Sequence, residues 1–93
     1  MVVGDFNARP ESVGMPDELL DAWAVGGAGP GFTCCQAPDL GNDVSELFER
    51  IDYVWVRGAE VETVALLGDQ PAAGTQRWPS DHAGVVARLT LAP

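Results

Sequence analysis

The nine residues RIDYVWVRG, Arg50 to Gly58, restrict this chain more than any other stretch. On an extended backbone Ile51, Tyr53 and Trp55 leave one face, and Arg50, Asp52, Val54 and Val56 leave the other. Both faces are largely apolar, so both need cover, and the run is predicted to be a central strand of its sheet. With 93 residues the chain is one domain at most, and its core is thin because small folds bury a smaller share of their surface. A composition of 46% hydrophobic and 20% charged residues supports a folded domain and excludes a disordered tail.

Other strands follow from β-branched and alternating runs. Val2 and Val3 lead into Gly4-Asp5-Phe6-Asn7, the pattern of a short buried strand that delivers polar residues at its end. Residues 61–67 are β-rich, and residues 83–91 alternate Val85, Ala87, Leu89 and Leu91 against Val86, Arg88 and Thr90. PDELLDAWA, residues 16–24, carries Pro16 and Asp17 as start signals and Leu19, Leu20 and Trp23 at helical spacing. A second short helix is predicted over VSELFER, with Asn42 or Asp43 as its cap. GGAGPG at 26–31 lacks the Lys-Ser/Thr ending of a phosphate-binding loop and reads as a turn.

Fourteen acidic against five basic residues give a formal charge of -9, which repels a nucleic-acid backbone unless metal ions or basic segments intervene. This argues against sequence-independent DNA binding by this chain alone. The two cysteines, Cys34 and Cys35, are neighbours, which strains ordinary disulfide geometry. They also lack the C-x2-C spacing of a zinc site, so a zinc centre of Cys34, Cys35 and His82 is not expected. No stretch approaches the roughly 20 apolar residues that cross a bilayer, and the expectation is a cytoplasmic protein without a membrane span. Because the chain opens directly on VVGD, an earlier part of the domain is expected to be absent.

Three apolar runs end at, or are interrupted by, polar residues suited to phosphate chemistry. Asp5 and Asn7 lie one residue apart, so on an extended backbone their side chains leave the same side. The carboxylate can accept a proton from an attacking water, and the amide can donate to a non-bridging phosphoryl oxygen. Asp and Asn are equally favoured in a plain turn after a strand. Asp52 shares a face with Val54 and Val56, and a buried carboxylate needs a partner, for which Arg50 and His82 are the candidates. An Asp52–His82 hydrogen bond would hold the imidazole protonated as a phosphate donor or acid. Asp81 is an oxygen ligand suited to a hard cation such as Mg2+. Trp78, beside the Ser80-Asp81-His82 turn, is the aromatic expected to line the pocket, whereas Trp23 and Trp55 are expected in the core.

GDFN at residues 4–7, RIDYVWV at 50–56 and SDH at 80–82, in that order, resemble the last three signature blocks of the endonuclease/exonuclease/phosphatase superfamily, the DNase I-like metal-dependent phosphoesterases. The resemblance covers almost the whole chain and the C-terminal portion of the family's domain. It implies an α/β fold, part of a four-layer sandwich, to which these residues contribute mainly one β-sheet with short helices. It also implies that residues 1–93 follow an N-terminal part carrying a strand-terminal metal-binding Glu. None of Glu11, Glu18, Glu46 or Glu49 stands in a matching motif.

The implied activity is hydrolysis of a phosphodiester or phosphomonoester with Mg2+ or Mn2+, on a nucleic acid or on a small or lipid phosphoester. Asp5 would orient or deprotonate the water and contact the metal with Asp81; Asn7 and His82 would bind the phosphate; Asp52 would pair with His82. A sheet built for a partner sheet would expose apolar surface, so association with the missing half or self-association is expected. The alternative is a non-catalytic truncated relative that acts through protein association.

Overall fold

In the computed structural model, which describes residues 1–91, six elements follow one another: β1 (Val2–Asp5), β2 (Leu20–Asp21), α1 (Ala22–Gly26), β3 (Asp52–Val56), β4 (Ala59–Leu67) and β5 (Gly84–Leu91). β3 is the middle strand of a three-stranded antiparallel sheet in the order β1-β3-β2, as its two apolar faces require. Its residues Tyr53, Val54, Trp55 and Val56 are all buried. β4 and β5 form a separate two-stranded antiparallel sheet. The expectation of mainly one sheet with short helices is corrected on both counts: there are two sheets and, among the described residues, one α-helix. The result is a mixed fold compatible with the α/β class.

The alternation of β3 decides what each face does. Val54 and Val56 join Ala22 in a buried cluster against Val61 of β4 and Val85, Ala87 and Leu89 of β5. Full burial of a valine such as Val54 or Val56 contributes about 1.5–3 kcal/mol. Tyr53 and Trp55, on the opposite face, stack at 5.0 Å between ring centroids, and Phe6 meets Tyr53 edge-on at 5.6 Å. Asp52 lies on the Val54/Val56 face, so it is turned towards the β4–β5 sheet at the end of its strand.

Both helix predictions need correction. Leu20 and Asp21 pair with Val56 and Trp55 as a strand, and α1 starts only at Ala22, capped by Asp21, whose Oδ1 accepts from Trp23 N at 3.2 Å. Pairing with the open edge of β3 outweighs the local helical spacing. VSELFER forms no helix, because its N–H groups are used elsewhere: Glu46 N donates to Gln36 Oε1 at 2.9 Å, and Phe48 N to Cys34 O at 2.7 Å. The glycine-rich stretch is a turn with a packing purpose. Trp23 Nε1 donates to Gly29 O at 3.0 Å, and a Cβ at Gly27 or Gly31 would collide with the indole. Trp23 and Trp55 are buried, as expected for core residues.

Candidate active site

The site forms where the end of β1, the start of β3 and the turn before β5 converge. β1 and β3 pair antiparallel with Asp5 opposite Asp52, so the two carboxylates share one sheet end. Gly4, at φ +148°, takes a backbone that a side chain would strain, and the strand ends at the next residue. Asp5 Oδ1 then accepts the main-chain N–H of Asn7 at 2.8 Å, and Asn7 turns left-handed at φ 50°. This corrects the same-side argument for Asp5 and Asn7: a turn, not strand alternation, relates them.

His82 is delivered to this end by main-chain bonds on both sides of it. Gln36 N donates to Asp81 O at 2.8 Å and Ala83 N to Thr33 O at 2.8 Å, while Cys34 forms isolated bridges with both His82 and Glu49. Thr33 is fully buried, and its hydroxyl oxygen accepts from Ile51 N at 3.1 Å and Asp52 N at 3.3 Å. One residue thereby positions the main chain beneath Asp52 and beside His82. Sequence reasoning missed Thr33, and no local signal marks it, because all its partners are distant in the chain.

The imidazole lies between two carboxylates. Nδ1 is 2.7 Å from Asp52 Oδ2, and Nε2 is 3.8 Å from Asp5 Oδ2. Burial lowers the pKa of His82, but the Asp52 hydrogen bond and the charges of Asp52, Asp5 and Asp81 outweigh it and leave the pKa above its ordinary 6.5. Arg50, the other candidate partner for Asp52, instead pairs with Asp21 at 2.7 Å, both side chains 11% exposed. Burial pushes the Tyr53 phenol up to about 12; Arg50 opposes this, and Asp21, Glu11 and Asp52 add to it. Tyr53 thus remains a neutral donor, its oxygen 2.6 Å from Ala8 O and 2.9 Å from Arg50 O, and holds the segment after Asn7.

Asp5, Asp52 and His82 border a hollow of about 600 Å³, walled by apolar residues that include Val3, Val54, Leu67 and Val85. The structure brings Asp5, Asp52 and His82 together, one ligand atom from each lying within 4.8 Å of the others. Asn7 follows on the Asx turn, exposed to solvent. Asp81 is exposed and stands outside that cluster, with Ser80 Oγ 3.4 Å from its Oδ1. Trp78 is corrected: it is 5% exposed, donates its indole N–H to Asn42 O at 2.8 Å and does not line the hollow. Its apolar ring is worth more in the core than at the rim.

Cys34 and Cys35 reach the same histidine. Their sulfurs are joined as a disulfide between neighbouring residues, and Cys35 Sγ lies 4.0 Å from His82 Nε2.

The profile of the endonuclease/exonuclease/phosphatase family matches residues 1–82. The chain belongs to this family. Comparisons with curated proteins and with solved structures return no match. Members of the endonuclease/exonuclease/phosphatase family are generally hydrolases of phosphoesters and typically use divalent metals. The matched span includes all three blocks, GDFN, RIDYVWV and SDH, whose residues converge at the hollow. Among the described residues no helix is long and apolar enough to cross a membrane.

Proposed function

We propose that the chain carries the phosphate-handling side of a divalent-metal-dependent phosphoesterase, within a four-layer α/β sandwich of which residues 1–93 are the C-terminal part. The observation that supports this most is the Asp52–His82–Asp5 sequence of contacts, 2.7 Å and 3.8 Å, at the edge of an open hollow. The Asp5 side chain, 50% exposed, accepts a proton from the attacking water. Asn7 donates its amide to a non-bridging oxygen. Asp52 holds Nδ1–H of His82 and stabilises the imidazolium, so Nε2–H can donate to phosphoryl oxygen as charge develops.

The donor set suits a hard cation such as Mg2+ or Mn2+, which takes one or two carboxylates and fills its remaining positions with water and substrate oxygen. Asp5 would hold it with Asp52 beside it, and Asp81 would add negative charge from outside the cluster. When bound, the ion supplies positive charge against the phosphoryl oxygens. The acidic surface, formal charge -9, favours a small or lipid phosphoester over bulk nucleic acid.

The test is metal-dependent release of nitrophenol from bis(4-nitrophenyl) phosphate and 4-nitrophenyl phosphate, by the chain alone and with the preceding part of a family domain added in trans. Turnover is expected to depend on Mg2+ or Mn2+ and to fall roughly 100-fold or more in Asp5→Ala and in His82→Ala. Turnover insensitive to both substitutions, or to chelation, overturns the proposal. A second reading, a module acting through association, is favoured by exposed apolar residues that line the hollow: Val3 is 60% and Leu67 68% exposed. An assembled complex without hydrolysis would select it.

A further inference from the structure

A second hollow, of about 340 Å³, lies where the turn after α1, residues 45–47 and the end of β4 meet. It shares no lining residue with the hollow at Asp5 and His82, and its volume falls within the roughly 300–1,000 Å³ of small-molecule sites. Trp23 and Phe32 line it with aromatic rings, and Pro30, Leu47 and Leu66 line it with apolar surface. Part of this wall is fixed in advance. The Trp23 indole donates to Gly29 O at 3.0 Å, and Gly27 and Gly31 pack against the ring so closely that neither position has room for a Cβ. Phe32 is 39% exposed, although Thr33 beside it is fully buried.

The charge of the hollow is one-sided. Asp69 is the only ionisable residue in its lining, and no arginine borders it. The residue is half-buried, and among the described residues its carboxylate enters no ion pair and accepts no hydrogen bond. Arg9, Arg50 and Arg77 are engaged elsewhere, with Glu49, Asp21 and Asp39 O. A lone carboxylate beside aromatic faces favours a cation, since the ring quadrupole and the negative charge both attract one. The apolar walls then select among cations. A bare ammonium or guanidinium would bring several N–H donors that such walls leave unpaired, whereas a quaternary ammonium carries none.

We propose that this hollow binds an alkylated ammonium, held against Trp23 and Phe32 with Asp69 as its counter-ion. The same chemistry comes as a free quaternary amine or as the trimethylated lysine of a partner peptide. The site is independent of the phosphoesterase reading and stands or falls without it.

The experiment titrates the 15N-labelled full chain with choline chloride and follows the indole N–H resonances. That of Trp23 is expected to move saturably, and those of Trp55 and Trp78, which do not line the hollow, to stay in place. Sodium chloride at equal concentration should leave all of them unmoved. 3,3-Dimethyl-1-butanol, the uncharged isostere of choline, is expected to bind roughly 10-fold more weakly or worse. Phe32→Leu keeps an apolar wall and is expected to weaken choline by roughly 2- to 10-fold. Asp69→Asn should weaken it about 5-fold, and Asp69→Glu should recover most of that loss. Equal binding of the alcohol and the amine by the wild-type chain, absence of a saturable Trp23 shift, or unchanged choline affinity in both Phe32→Leu and Asp69→Asn overturns the site. A trimethyl-lysine peptide that binds more tightly than choline upholds the site and assigns it to a modified side chain; choline binding without peptide binding upholds it and assigns it to a free amine. An unmodified lysine peptide that binds as tightly as the trimethylated one overturns the choice of an alkylated ammonium.

Discussion

Thr33→Val tests whether one buried hydroxyl assembles the site. Valine keeps the shape of threonine, so the change removes hydrogen bonding and little packing. In the native chain the hydroxyl oxygen accepts Ile51 N at 3.1 Å and Asp52 N at 3.3 Å, and Ile51 is 3% exposed. A buried donor left without an acceptor costs about 1–3 kcal/mol, and the part-buried Asp52 donor adds less, so the total is about 2–4 kcal/mol. Thr33→Ser keeps the oxygen and removes one methyl, costing about 1 kcal/mol. With a urea m-value of about 1–1.5 kcal/mol/M, a loss of 3 kcal/mol lowers the unfolding midpoint by about 2–3 M. Urea unfolding followed by tryptophan fluorescence reads both variants, and the imidazole resonances of His82 report whether Asp52 still holds the ring. A valine variant within about 0.5 kcal/mol of wild type, or one more stable than the serine variant, would refute the reasoning.

The raised pKa of His82 sets a direction for pH dependence. Protonation is favoured in the folded chain, so the Asp52–His82 contribution to stability is complete below the ordinary 6.5 and is lost as pH rises through the higher folded value. Imidazole titration by NMR should show a midpoint above 6.5 in wild type and a lower one in Asp52→Asn; the opposite order would contradict it. Gly4→Ala probes the end of β1, where φ is +148° and nothing lies within 4 Å of an added Cβ. Any loss is therefore backbone strain, expected at about 1–3 kcal/mol with displacement of Asp5, and calorimetry showing an unchanged or raised unfolding temperature would refute it.

Much of the site was legible because its residues sit at strand ends. Asp52 interrupts the apolar face of Val54 and Val56, and a carboxylate there needs a partner, which the geometry supplies as the chain's only histidine. Arg50 was equally plausible on the same face, and only the fold sends it to Asp21 across β2. Trp78 illustrates the limit of neighbourhood in sequence. Four residues from His82, it turns into the core because its indole N–H finds Asn42 O there.

By itself the sequence determined where chain geometry is local: the centrality of RIDYVWV, the β1 end at GDFN, and the order of three polar blocks that mark the family. Alternation and turn preference act over a few residues, and they survive folding when nothing stronger competes. Tertiary structure decided what competition settles. The open edge of β3 turned Leu20 and Asp21 into a strand, distant acceptors took the N–H groups that VSELFER needed for a helix, and Thr33 joined strand to turn across 18 residues. It also placed the Cys34–Cys35 pair beside His82, 47 residues on from Cys35, because proximity depends on where strands end in space and not on spacing along the chain.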